Sequence, residues 1–405
     1  MTRAATAPET TRWAAVVVIL VAGVAASFQV GKVPVALPVI RGELALDLTE
    51  AAWIVSIFSV ISMVGGMTAG SMGDRIGHRR ILLTGLLVLA AANFIGAYAS
   101  DPGLLLFSRL CEGLAFLIVS VSCPALLFRV CSERHWRLIF GMWGAYWPFG
   151  TAAMMLVAPL ALSTVGWRGF WVANGLFALA AALLLLRARS AIGAPPAPRP
   201  RAAPVSWQDI ARTATSPGPL LLASIFATYA AVLVTMLSFL PTLYLEQQDM
   251  SPGRIAVLTA VVAAANMGGN LLAGFALHKG VPRWILLALA FVAMATLSFA
   301  VYGTALPFPV RYGAAFAFSF LGGMIPTSCL AGAPVHAPEP RLLGTTNGLL
   351  MQGSGLGQVV GPVVTTLAVT AAGGWAVTPL VFGVSAVLGI VCALGVRALE
   401  RRPRP

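Results

Sequence analysis

Apolar residues follow one another in long runs along this chain, and short polar or basic segments separate the runs. The hydrocarbon core of a bilayer is about 30 Å thick, so a helix needs roughly 20 apolar residues to cross it. The pattern predicts an all-α membrane protein with twelve spans, near residues 13–40, 50–72, 80–99, 103–128, 138–162, 167–187, 218–241, 253–277, 284–304, 310–332, 342–370 and 376–397.

The composition supports this interpretation and assigns a role to the charge. Hydrophobic residues make up 59% of the chain and charged residues 10%, against about 25% charged in an ordinary soluble domain. The net charge of +13 would indicate a nucleic-acid partner in a soluble protein, but here the basic residues lie between apolar runs. The segments predicted outside hold only Arg41, Arg168, Arg254 and Arg311. The positive-inside rule therefore predicts two cytoplasmic termini, and we expect no nucleic-acid partner.

A Pro- and Arg-rich stretch divides the predicted spans into two sets of six. It predicts a cytoplasmic linker over residues 191–217, between an N-terminal bundle over 1–190 and a C-terminal bundle over 218–405. Within the linker, the residues from Trp207 to Ile210 are interpreted as a short interfacial helix.

Small landmarks recur at a spacing close to half the chain length. Gly70 has its counterpart in Gly274, and Gly141 has its counterpart in Gly348. These matches occur in the same order in both halves, which is typical of a duplicated bundle. The sequence therefore predicts two pseudo-symmetric six-helix bundles.

The loop between the second and third spans carries the motif that indicates a family. It reads Gly70-Ser-Met-Gly-Asp74-Arg75-Ile-Gly77-His-Arg79-Arg80. This resembles the major facilitator superfamily signature G-x-x-x-D-R-x-G-R-R. The resemblance implies two six-helix bundles around a central cavity that opens alternately to each side of the membrane.

The same loop has a physical interpretation of its own, as a conformational latch. Gly70 permits close helix approach, Gly77 permits the turn, and Asp74 with Arg75 and Arg79 would form a charge relay at the inner helix ends. The alternative is a loop whose arginines only set topology, and that alternative does not need the acid or the glycines.

The fourth span resembles a second signature of the family, R-x-x-Q-G, with Glu112 in the position of Gln. Arg109 and Glu112 are three residues apart on one helix face and can pair. An acid at membrane depth is a functional candidate, so we expect Glu112 to carry the coupling proton, with Arg109 as its partner. The antiporter Gly-Pro pattern of the fifth span is only half present around Trp147-Pro148, which weakens the case for drug export.

Lys32, in the first span, lies at about the same depth as Arg109 and Glu112, and we expect the three to meet. Two alternatives stay open: Lys32 can snorkel to the headgroups, and the Arg109–Glu112 pair can be purely structural. A cluster of two cations and one acid would favour an anionic or polar solute.

Polar and aromatic side chains at membrane depth are the candidates for a substrate cavity. An aromatic or amide residue of this kind, taken alone, more often serves helix packing or an interhelical hydrogen bond. The candidates are Lys32, Gln29, Trp143, Tyr146, Asn266, Asn270 and Gln352.

The predicted function is secondary active transport of a small organic or anionic solute, coupled to protons. The expected partners are the solute, protons and the lipid bilayer of a bacterial inner membrane; we expect a monomer and no cofactor or metal. One alternative is a multidrug proton antiporter of the same fold, and another is a non-transporting receptor or lipid-handling scaffold. The sequence lacks a His-Glu metal motif, a G-x-S-x-G motif and a phosphate loop, so we do not expect an enzyme. A few residues are similar to the bacterial branch that includes cyanate and nitroimidazole transporters.

Overall fold

The computed structural model describes residues 10–46, 48–192, 205–247, 250, 252–303 and 305–401. Within these residues the regular structure is helical. The helices are α1 (Trp13–Glu43), α2 (Leu48–Ile76), α3 (His78–Ala97), α4 (Pro102–Val130), α5 (Trp136–Gly144), α6 (Tyr146–Thr164), α7 (Gly166–Arg187), α8 (Arg189–Ile192), α9 (Trp207–Thr215), α10 (Pro217–Gln247), α11 (Pro252–His278), α12 (Arg283–Tyr302), α13 (Phe308–Gly322), α14 (Met324–His336), α15 (Leu343–Ala372) and α16 (Thr378–Arg401).

The helices confirm eleven of the twelve predicted spans. Eleven helical segments in the described residues are long and apolar enough to cross a membrane. The remaining one, α2, has 29 residues and is therefore about 43 Å long at 1.5 Å per residue. The chain is thus a multi-pass membrane protein.

Two predicted spans, 138–162 and 310–332, are each broken into two helices. One break lies at Ala145, between α5 and α6, and the other lies at Gly323, between α13 and α14. Proline has no N–H and cannot bond the carbonyl four residues earlier. Pro148 leaves the carbonyl of Gly144 without that partner, and Pro326 does the same in the second break. Each first helix ends at that carbonyl, so the missing hydrogen bond contributes to both breaks.

The helices pack as two bundles that meet along two seams. In the first bundle α1 packs against α4, α6 and α7; in the second α10 packs against α15 and α16, and α12 against α13 and α16. The seams between the bundles are α2 with α15, and α5 and α6 with α11. The predicted duplicated bundle is confirmed.

Part of the predicted linker, residues 193–204, lies outside the described residues. The described part holds α9, whose first turn is closed by a capping box: the Ser206 hydroxyl accepts from the Asp209 N–H, and the Asp209 carboxylate accepts from the Ser206 N–H. The division of the chain at 190 and 218 stays a prediction.

Candidate functional site

A cavity lies between the two bundles. Its wall comes from both halves, with helices α2, α4, α5 and α6 on one side and α10, α11, α14 and α15 on the other. The surface of the cavity is mostly apolar and aromatic, with side chains such as Phe116, Trp147, Phe226 and Leu233. Among the described residues that line it, none is Asp, Glu, Lys, Arg or His. The cavity therefore suits an uncharged or amphiphilic organic molecule rather than a bare ion.

Both bundles contribute polar side chains to this cavity, which are Ser62, Tyr146, Tyr229, Asn266, Ser354 and Gln358. In the second bundle, the Asn266 amide donates to the Tyr229 hydroxyl over 3.0 Å and to the Ser319 carbonyl over 2.9 Å. In the first bundle, the Tyr146 hydroxyl lies 3.0 Å from the Ser120 hydroxyl. Both tyrosine hydroxyls are therefore held in place by neighbours and present fixed hydrogen-bonding atoms near the cavity.

The structure brings Lys32, Arg109 and Glu112 together as the sequence predicts. The Lys32 ammonium donates to Glu112 Oε1 over 2.7 Å, and Arg109 Nη1 donates to Glu112 Oε2. The three side chains are at most 2% exposed. The cluster does not line the cavity. Lys32 was predicted in the cavity wall, but it lies inside the first bundle. Full burial also argues against Lys32 snorkelling to the headgroups.

Two groups that the sequence analysis did not select complete the surroundings of Lys32. Asn93 Oδ1 accepts from the Lys32 ammonium over 2.6 Å, and the ammonium lies 4.2 Å from the centre of the Trp171 ring. The Asn93 amide nitrogen donates to the Leu89 carbonyl over 2.8 Å, which turns its oxygen toward Lys32. In the sequence, Asn93 is an amide within an apolar span, which is the feature that could have indicated a polar partner for Lys32.

The Arg109 guanidinium is held mainly by backbone oxygens. It donates to the carbonyl of Ile54 over 3.1 Å and to that of Gln29 over 3.2 Å, and it lies 5.0 Å from the centre of the Phe58 ring. The Gln29 side chain donates to the Ala25 carbonyl of its own helix. Gln29 is therefore a neighbour of the charged cluster, and its predicted place in the cavity is corrected.

Of the other predicted cavity residues, Tyr146 and Asn266 line the cavity and the rest do not. Trp143 stacks behind Tyr146, with ring centres 4.0 Å apart. Asn270 accepts from the Thr327 hydroxyl over 2.9 Å in the wall of the second bundle. Both side chains support the cavity wall from behind.

Gln352 was predicted to line the cavity, but it joins the two bundles instead. Its amide nitrogen donates to the carbonyls of Met63 and Val64 on α2 over 3.2 and 3.1 Å, and its oxygen accepts from the Met67 N–H over 3.3 Å. An amide has a donor and an acceptor, so it can satisfy both types of backbone group at once.

At one end of the molecule, glycines let the two bundles touch along both seams. We call this the sealed end. It is defined by Gly66, Gly70, Gly344 and Gly348 on the first seam and by Gly141 and Gly274 on the second. A Cβ on Gly70 would lie 2.1 Å from the Gly344 carbonyl oxygen, and a Cβ on Gly66 would lie 2.2 Å from that of Gly348. A Cβ on Gly141 would lie 2.9 Å from the Gly274 Cα. The landmarks of the sequence repeat are thus the sites of closest approach between the bundles.

Asp74 fastens the first bundle to the second at the sealed end. Its carboxylate accepts from the N–H of Gly344 over 3.0 Å, and from the N–H and hydroxyl of Thr345 over 2.8 Å each. These N–H groups open α15, where a helix has unpaired donors and a partial positive charge. His78 Nε2 lies 3.0 Å from the same carboxylate.

Asp74 and Arg75, which the sequence places in one charge relay with Arg79, have different described partners. Asp74 binds across the seam, whereas Arg75 donates to the backbone carbonyl of Val205, next to α9. Arg79 belongs to the first turn of α3. Gly77 makes the turn that the sequence predicts, with a φ of 103° that other residues rarely adopt.

The described linker helix α9 bridges the two bundles beside this latch. Arg341 donates to the two oxygens of Asp209 over 2.7 and 3.2 Å, and Arg212 donates to Glu339 over 2.7 Å. The N–H of Ser206, followed by the Arg341 guanidinium, lowers the pKa of Asp209 to about 2. The helix thus carries ionised contacts to the start of α15.

Two pseudo-symmetric bundles of membrane helices, with a shared cavity and a sealed end, define a class of polytopic membrane proteins with transporter architecture. Residues 19–351 match the model of the Major Facilitator Superfamily. Since this match covers most of the chain, the protein belongs to that superfamily.

Known relatives are similar over parts of their length. The puromycin resistance protein pur8 of Streptomyces alboniger is 30% identical over 44% of this chain and 35% of its own length. The tetracenomycin C resistance and export protein of Streptomyces glaucescens is 30% identical over 40% of this chain and 31% of its own length. The galactose-proton symporter of Escherichia coli is 26% identical over 41% and 35%. The chain thus spans about a third of the length of these curated relatives.

Solved structures match the whole fold at low identity. The human organic anion transporter MFSD10 has a TM-score of 0.75 at 15% identity, over 96% of this chain and 100% of the other. FucP, a fucose:proton symporter of E. coli, in its outward conformation has a TM-score of 0.76 at 13% identity, over 94% and 97%. These likenesses establish the fold. The narrower resemblance to the cyanate branch stays a prediction.

Proposed function

We propose that this protein is a secondary active transporter that moves a small uncharged or amphiphilic organic solute across the membrane by alternating access. The observation that carries the proposal is the cavity between the two bundles, which is free of ionised side chains among its described lining residues and is closed by glycines at one end. A cavity shared by two bundles can exchange access when one bundle rocks against the other.

The cavity favours the organic solute over the anionic one, both of which the sequence left open. The anionic solute required Lys32 and Arg109 to face the cavity, but both are buried inside the first bundle. The groups at the cavity are hydroxyls, amides and aromatic rings, none of them ionised among the described lining residues; the polar ones are Ser62, Tyr146, Tyr229, Asn266, Ser354 and Gln358. Such a lining recognises a ring system with one or two hydrogen-bonding groups.

We assign proton coupling to the cluster of Glu112, Arg109 and Lys32. A buried ionised cluster is costly inside a membrane protein, and its cost is usually offset by a function. Arg109 and Glu112 are on α4, and Lys32 is on α1; both helices contribute to the first bundle. A change of charge here alters the packing of the bundle that forms half of the cavity.

The experiment begins with a thermal-shift screen of the purified protein against metabolites and drugs at two pH values. A solute that stabilises the protein is then tested for accumulation in proteoliposomes with an imposed pH gradient. We expect Glu112→Gln to abolish accumulation driven by the gradient, and Glu133→Gln, at an exposed acid, to leave it unchanged. Full accumulation by Glu112→Gln would refute the assignment of coupling to this cluster.

A second candidate is proton-driven efflux of aromatic drugs. It is supported by the aromatic cavity and by relatives whose names describe resistance to puromycin and export of tetracenomycin C. The half-present antiporter pattern around Pro148 counts against it. Efflux of a fluorescent dye from energised cells that express the protein would favour this candidate, whereas counterflow of a small metabolite would favour uptake.

We also propose that the sealed end faces the cytoplasm, in a bacterial inner membrane. The basic residues concentrate in the segments on that side, and both termini would then be cytoplasmic. Reporter fusions after Asp74 and within residues 193–204 should give the same cytoplasmic signal. Opposite signals would contradict this orientation.

A further inference from the structure

The buried cluster of Lys32, Arg109 and Glu112 has an unbalanced charge. Two cations share one acid, and all three side chains are at most 2% exposed. The helices packed around Lys32 contribute Asn93 from α3 and Trp171 from α7, and neither carries a charge. Within the described residues the fully ionised cluster therefore has a net charge of +1, in surroundings that cannot solvate it well.

Only one member of the cluster can remove this excess charge by exchanging a proton. A guanidinium is not deprotonated in proteins, so Arg109 stays charged. Protonation of Glu112 would raise the net charge to +2 and leave both cations without a counter-ion. Loss of a proton from Lys32 leaves a neutral amine beside a balanced Arg109–Glu112 pair.

The contacts of Lys32 fit both of its protonation states. Its nitrogen donates to Asn93 Oδ1 over 2.6 Å and to Glu112 Oε1 over 2.7 Å, and a neutral amine still has hydrogens for two such bonds. The face of the Trp171 ring at 4.2 Å and the Glu112 charge favour the ammonium, whereas burial and Arg109 favour the amine. Opposing influences of this kind leave the proton exchangeable rather than fixed.

We infer that Lys32, and not Glu112, is the group that releases and takes up the proton in the transport cycle. The N–H bond of the ammonium breaks, the electron pair stays on nitrogen, and the proton passes to water; Glu112 and Arg109 stay ionised throughout. This inference rests on the proposed coupling role of the cluster. It assigns Glu112 the role of the permanent counter-ion of Arg109.

The chain offers a direct test, because Lys32 and Lys279 are its only lysines. Protein labelled with ¹³C and ¹⁵N in lysine, in lipid nanodiscs without added solute, should give two side-chain signals. Lys279 is exposed and serves as the internal reference, and Lys279→Arg assigns the spectrum. We expect the Lys32 signal to shift between its charged and neutral positions at a lower pH than the Lys279 signal. A Lys32 signal that titrates together with Lys279, or stays charged beyond it, would overturn the inference.

Two substitutions at Lys32 test whether this proton controls the conformation. Spin labels at Ile76 and His278, exposed positions at the sealed end, report its opening at different pH values. We expect Lys32→Met and Lys32→Arg to lose the pH response of the parent protein and to rest at opposite ends of its distance range. General damage would move both variants in the same direction, and an unchanged pH response in both would refute the inference.

The inference and the proposed function fail in different ways. The lysine signals and the spin-label distances need no solute, so a protein that transports nothing can still show an exchangeable proton on Lys32. Conversely, if Glu112 carries the proton, Glu112→Gln should abolish the pH response of the distance while Lys32→Met keeps it.

Discussion

The sealed end depends on backbone contact between glycines, and Gly70→Ala tests this dependence. The methyl group would lie 2.1 Å from the carbonyl oxygen of Gly344, which is a backbone atom and cannot rotate away. We therefore expect the substitution to disfavour the conformation in which α2 and α15 touch. It should leave the conformation with separated helices unaffected.

The size of the effect follows from the geometry. Atoms in contact lie about 3.5 Å apart, so the helices would have to separate by about 1.4 Å to admit the methyl group. Overpacking of this kind costs about 1–3 kcal/mol. Such a free energy shifts a two-state equilibrium by about 5- to 150-fold. The gain in helix propensity from Gly to Ala applies to both conformations and cancels.

Spin labels at Ile76 and His278 measure this equilibrium as a distance distribution. We expect Gly70→Ala to move the population toward the longer distance, with a matching gain in reactivity of a cysteine placed at the sealed end. Gly383→Ala is the matched control, because no atom lies within 4 Å of the Cβ that it would add on α16. If Gly70→Ala and Gly383→Ala give the same distribution as the parent protein, the glycine seam does not decide the closure.

Three further substitutions extend the reasoning. Asp74→Asn removes the charge that caps α15, and we expect about 1.5–3 kcal/mol less stability of the closed sealed end, measured by the same distances; a distribution like that of the parent would contradict the latch. Asp209→Asn should speed hydrogen exchange in α9. The pKa of Asp209 is lowered to about 2, so its contacts are complete above about pH 4 and are lost only as the pH falls toward 2. The rate of hydrogen exchange in α9, corrected for intrinsic rates, should therefore be the same at pH 5 and at pH 8. Tyr229→Phe removes a hydroxyl from the cavity and should weaken binding of a hydrogen-bonding solute by about 0.5–1.5 kcal/mol in titration calorimetry, while binding of a purely apolar solute should be unchanged.

The spans, the repeat and the meeting of Lys32 with Glu112 were predictable from the sequence, because each follows from helix length, helix periodicity or depth in the membrane. The direction of the Lys32 side chain was not predictable. A position on α1 fixes its depth but leaves open whether it faces the cavity or the interior of its own bundle. The contacts of Gln352 and Asp74 were not predictable for a related reason: their partners are backbone groups on a helix of the other bundle, and a sequence does not show which helices of the two bundles lie side by side.

The two helix breaks were partly predictable from the sequence. Pro148 and Pro326 are visible in the sequence, and a proline within a helix leaves a carbonyl unpaired. Proline alone does not predict a break, because Pro124 and Pro241 lie inside the continuous helices α4 and α10.

In this protein, contact between the bundles at the glycine seam and recognition of a solute at the cavity depend on different residues. A position that admits no side chain at all cannot acquire a new preference for a solute, so recognition must change elsewhere, at positions such as Phe226 or Leu233 that line the cavity. Under the proposed alternating access, new specificities can therefore accumulate in the cavity wall without disturbing the surfaces where the two bundles meet. A selection for altered solutes should accordingly yield substitutions around the cavity and spare Gly66, Gly70 and Gly348.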